Sequence, residues 1–142
     1  MTQEEKDLLV KDLCPRLPYG VVCQVDDGAA GLNDGKLVEI DISKELVRFD
    51  ADYYWDAYID DIKPYLRSMS LMTESERFEV EQIIGYDVEV QDDFLSLLSH
   101  SIKRLSYLEL LALFKWFNAH HFDYCGLIKK GLALEAPNGM YN

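Results

Sequence analysis

Between residues 21 and 49 the chain carries three short runs, VVCQV, KLVEIDI and ELVRF, rich in β-branched and aliphatic residues. The stretch DDGAAGLNDG, with three glycines and three aspartates, separates the first from the second. Branched side chains favour pleated backbone, whereas glycine and aspartate supply turns, so the pattern predicts a small antiparallel sheet of about three strands. That sheet needs an apolar cover, and the rest of the chain reads as helices to provide it.

In QEEKDLLVKDLCPRL, Leu8, Leu9, Leu13 and Leu17 lie near one helical stripe, with Glu4 and Glu5 in the first turn where the helix dipole favours acids. Pro15 and Pro18 should end that helix. In DADYYWDAYIDDIKP, Tyr54, Tyr58 and Ile62 recur every four residues beside Trp55 and Ile59, which predicts a helix stopped by Pro64. Its opposite side would be an acidic stripe of Asp52, Asp56 and Asp60. TESE at Thr73 to Glu76 is a capping box opening a helix through Ile84, with Gly85 as its stop. Asp92 or Asp93 is expected to cap another, carrying Phe94, Leu97, Leu98 and Ile102. SYLE at Ser106 repeats the capping pattern before LLALFKWFNAH, apolar on nearly every side and expected to be the central buried helix. The expectation is therefore one α+β domain over residues 1–142, with about three strands packed against four or five helices.

Twenty-six acidic residues against fourteen basic ones leave a formal net charge of -12. Such a chain repels nucleic-acid phosphates and anionic lipid headgroups, which disfavours direct binding to either and leaves a basic protein as the natural charged partner. Cys14, Cys23 and Cys125 are odd in number and without C-x-x-C spacing, so reduced thiols in a cytoplasm are expected rather than a disulfide framework. The first residues, MTQEEKDLLV, lack the basic and apolar regions of a signal peptide, and no run is apolar for long enough to span a bilayer.

The segments LCPRLPYGV, IKPYLRSMSLMTE and FNAHHFDYCGLIKKGLALEAPNGMYN resemble a family of small proteins from gut anaerobic bacteria and their phages and mobile elements. The resemblance implies a mobile-element setting and no particular chemistry. Where that family has a polar residue between HHFDY and GLI, this chain has Cys125, which argues against a shared site using the thiol.

Within NAHHFDYCGLI, His120, His121, Asp123 and Cys125 are side chains competent to bind zinc or another transition metal. In an extended backbone His121, Asp123 and Cys125 would share one side; in a helix they would fan apart. The structural alternative is that Asn118 and the histidines close the preceding helix while Phe122 and Tyr124 anchor the chain as it leaves the core. Neither a phosphate-binding loop nor a dinucleotide fingerprint is present, Ser68, Ser70 and Ser96 lack a nucleophile elbow, and no cofactor is implied. Arg67, set among apolar residues in PYLRSMS, is expected to pair with a carboxylate.

Charge and aromatic content together favour a non-enzymatic protein-binding or regulatory protein, with Asp52, Tyr54, Trp55, Asp56, Tyr58 and Asp60 as its partner-binding residues. A DNA-mimicking decoy is a special case of that reading. The competing reading is a small metal-dependent or hydrolytic enzyme built on His120, His121 and Asp123.

Overall fold

The structure, a computed structural model, describes residues 1–50, 55–85 and 105–141. Helix α1 spans Gln3–Leu13 and is opened by a capping box: the Thr2 hydroxyl accepts the Glu5 N–H while the Glu5 carboxylate accepts the Thr2 N–H. At Cys14–Tyr19 the backbone tightens to a 3-10 helix, as the prolines require, and Gly20 in the left-handed region turns the chain into the sheet. Strands β1 (Val22–Asp26), β2 (Leu32–Asp41), β3 (Leu46–Asp50), β4 (Trp55–Tyr58) and β5 (Ile62–Leu66) follow. Helices α2 (Glu74–Ile84) and α3 (Tyr107–Ala119) precede the short strand β6 (Leu134–Glu135).

The expected sheet of about three strands is corrected by the structure: among the described residues six strands pair in the order β4-β3-β2-β1-β5-β6, antiparallel except for the parallel β5/β6 pair. The four or five expected helices become three among the described residues. One cause is the aromatic segment, whose described part is strand β4 and a 3-10 turn at Ile59–Asp61 instead of a helix. A repeat of four residues fits a helical face, yet four is also a multiple of the strand period of two. Pairing with β3 makes the described start of the segment a strand, with Trp55 and Ala57 partly buried and Asp56 and Tyr58 exposed, and the turn at Ile59–Asp61 puts Ile62 in the next strand, buried, so Tyr58 and Ile62 do not share a side. Pro64 likewise ends no helix. It stands in β5 where pairing with β1 finishes at Cys23↔Pro64, one residue before pairing with β6 starts at Tyr65↔Leu134. The helix expected from Asp92 or Asp93 lies outside the described residues.

Each strand of the meander turns one side to α1. Leu9 and Leu13 of α1, fully buried, meet Cys23, Val25, Leu37, Val47, Phe49 and Ile62 in the larger core. Gly35 is part of that fit: a Cβ there would lie 3.0 Å from three atoms of the fully buried Phe49, so β2 passes close under the ring only because this residue has no side chain. A second core joins Val80 and Ile84 of α2 to Leu113 and Phe117 of α3, with Met72 and Phe122. Helix α3 is thus not the central buried helix that its composition suggested. Leu113 and Phe117 are buried, whereas Tyr107 and Leu108 at its start are 77% and 73% exposed.

Candidate functional site

The segment following α3 is held by two arginines. Arg16, at zero exposure, makes a two-pronged ion pair with Asp12 (2.9 Å for both bonds) and donates to the Phe122 carbonyl at 2.8 Å. Its guanidinium also lies 5.0 Å from the Tyr124 ring centre. Arg67 donates its backbone N–H to the His121 carbonyl at 2.7 Å and accepts the Asp123 N–H at 2.8 Å, so β5 continues into the histidine turn. The Arg67 guanidinium grips Glu76 of α2 through two bonds of 2.6 and 2.8 Å and stacks 4.2 Å over Phe122. Burial alone would raise the Glu76 pKa, but these bonds, with the Thr73 N–H, hold it down at about 2. The expected pairing of Arg67 with a carboxylate is therefore observed.

Within that frame the candidate metal ligands part company. The His120 ring stacks on Trp116 with centroids 4.0 Å apart, its Nδ1 is 2.9 Å from the Trp116 carbonyl, and Nε2 lies 3.8 Å from Glu79. His121, in the left-handed region at φ 60, turns the other way and stacks on Tyr141 at 3.7 Å. Asp123 accepts the backbone N–H groups of Leu127 and Ile128 at 2.8 and 2.9 Å and so caps the following turn. Among the described residues no group of three or more His, Cys, Asp or Glu side chains is arranged to hold a metal ion.

Nor does local chemistry favour a nucleophile. Desolvation, reinforced by Asp12, pushes the Cys125 thiol up to about 12, far from the thiolate needed for attack. Desolvation and the nearby Arg16 charge lower the His121 pKa to about 4, keeping its imidazole neutral. Tyr141 closes over this ring, with its hydroxyl accepting the Val22 N–H at 3.0 Å and donating to the Tyr65 carbonyl at 2.7 Å. These residues join α1, β1, β5 and the C-terminal segment into one buried polar joint. The Asp12–Arg16 pair at its centre escaped the sequence reading, although a D-x-x-x-R spacing across a helix end was a signal for it.

The opposite side of the sheet has a different character. Among the described strand residues, the registers place Asp26, Asp34, Glu39, Asp41, Asp50 and Asp56 on the side away from α1, against Lys36, Arg48 and Lys63, with Lys44 of the hairpin turn 3.5 Å from Asp41. Arg48 bridges Glu39 at 2.8 Å and Asp56 at 3.0 Å, and Asp34 accepts the Tyr65 hydroxyl at 3.0 Å. Tyr58, at the end of β4, is 60% exposed beside them.

Of the residues expected to bind a partner, Asp56 and Tyr58 belong to this acidic face. Trp55 points inward, 4.9 Å from Phe49, and Asp60 sits on the adjoining turn, 2.9 Å from Lys6 of α1. Asp52 and Tyr54 lie outside the described residues.

The arrangement defines an α+β protein with a mixed sheet that is covered on one side and acidic on the other. Comparison of the chain with protein-family models, with curated proteins and with solved structures returns no match. Among the described residues no helix is long and apolar enough to cross a membrane.

Proposed function

We propose that this is a non-enzymatic protein-binding or regulatory protein that receives a basic protein on the outer side of its sheet, around Glu39, Asp56 and Tyr58. The observation that supports the reading is that the described strand residues on that side bring six carboxylates against three cations, with Lys44 of the hairpin turn as a fourth. A covered core supplies rigidity on the opposite side, so the face is presented without having to be ordered on binding. Carboxylates spread over a sheet steer a cationic partner and set its orientation, and an exposed tyrosine beside them contributes contact area at small entropic cost.

The reading is tested with a triple variant, Glu39→Gln, Asp56→Asn and Tyr58→Ala, compared with the parent chain for capture of basic proteins from a lysate. All three side chains lie at the surface, so circular dichroism should be unchanged. The parent is expected to retain a basic protein that the variant releases. Equal retention by both would remove this face from the account.

A further inference from the structure

Beside the acidic face, where β2 turns into β3, a groove of about 270 Å³ opens between the hairpin and α1. Its walls are aliphatic: Val10 from α1, Ile40 and Ile42 from the hairpin's first arm, Leu46 from its second, and Ile59 from the turn after β4. Ile59 is buried at the base, while Ile42 is 66% exposed at the mouth. The volume falls below the roughly 300 to 1,000 Å³ usual for small-molecule and cofactor pockets, and suits an apolar side chain entering from outside.

Two observations indicate the occupant. Asp41 and Leu46 line both this groove and the shallow depression where Glu39, Asp41 and Asp56 face Lys44 and Arg48, so the two are adjacent across the hairpin. Around the groove, Lys6 is shared between Glu45 at 2.8 Å and Asp60 at 2.9 Å and Asp41 pairs with Lys44 at 3.5 Å, so that Asp7, Asp41, Glu45 and Asp60 stand against Lys6, Lys11 and Lys44. The mouth is thus apolar inside and negative outside, complementary to a chain segment with the reverse pattern.

We infer that the groove is the anchor pocket for a basic peptide segment of the protein partner, taking one aliphatic side chain between α1 and the β2–β3 hairpin while flanking lysines or arginines lie on Asp41, Glu39 and Asp56. The inference rests on the reading that the outer face binds a basic protein. Charge brings the segment to the face, and the anchor fixes its register.

Two synthetic peptides of glycine, lysine and arginine serve as probes, one with a single central leucine and one with serine in its place. Titration into protein labelled at isoleucine methyls is read by nuclear magnetic resonance. The leucine peptide is expected to shift Ile40, Ile42 and Ile59 while leaving the buried Ile84 in place. It should also bind roughly tenfold more tightly than its serine twin, the scale of burying one aliphatic side chain. Ile42→Ser, a change at an exposed position, should reduce that advantage and leave the serine peptide's affinity as it was. If both peptides bind equally and the groove methyls stay still, the anchor is wrong while the acidic face stands. If neither binds at low salt, both fail.

Discussion

At the scale of single residues, the neutral His121 makes a pH prediction with a definite sign. Its folded pKa of about 4 lies below the ordinary 6.5 because burial and Arg16 disfavour the cation. Its contribution to stability is therefore fully present above pH 6.5 and is lost as the pH falls toward 4, amounting to about 3 kcal/mol over the whole shift. Denaturant unfolding at a series of pH values should show that loss. His121→Asn, which tolerates the left-handed backbone, should remove most of the pH dependence between 6.5 and 4 while lowering stability at neutral pH through loss of the Tyr141 stack. An unchanged slope would show that His121 protonates freely in the fold. Arg16 offers a second test at the same joint. Asp12→Ala leaves a buried guanidinium without its carboxylate and should cost about 3 to 5 kcal/mol, against far less for Asp56→Ala at the exposed Arg48 pair.

Among elements, the ends of helices were the most legible. Thr73 and Glu76 form the expected capping box, Gly85 closes α2 at φ 79, and the prolines end α1 where their missing N–H groups demand. Thr73→Ala should cost about 1 kcal/mol in thermal or denaturant unfolding. The strands at VVCQV and ELVRF were equally plain, but β4, β5 and β6 were not. Tyr58 and Ile62 have the spacing of one helical face but fall in different strands on either side of a tight turn, and LALE holds only a two-residue strand whose partner lies some seventy positions earlier in the chain. Pairing over such a distance leaves no local mark. For the same reason, Gly35 looked like one more turn glycine within DDGAAGLNDG, whereas the structure places it under Phe49. Gly35→Ala should destabilise by about 1 to 3 kcal/mol, since Phe49 is buried and has little room to yield. A variant as stable as the parent would mean that the ring repacks.

For the molecule as a whole, composition favours a basic partner over an acidic one but singles out no surface for it. Of the acidic stripe expected on a helix, Asp56 lies on the outer side of the sheet. Asp56 keeps company there with Glu39, seventeen residues earlier in the chain, while Asp60 turns to α1. The candidate metal ligands followed the opposite course: adjacent in sequence, they are drawn apart by Trp116, Tyr141 and the backbone of the turn they close. An acidic face that works by charge should lose its partner as ionic strength rises, because exposed charges are screened beyond about 8 Å in physiological salt. The decisive measurement is capture of basic protein by the immobilised chain at low and at high salt, alongside the Glu39→Gln, Asp56→Asn, Tyr58→Ala variant. The account predicts a discrete basic protein held by the parent at low salt, released at high salt and not held by the variant. Retention that is indifferent to both salt and substitution, or no retention by the parent at all, would contradict it.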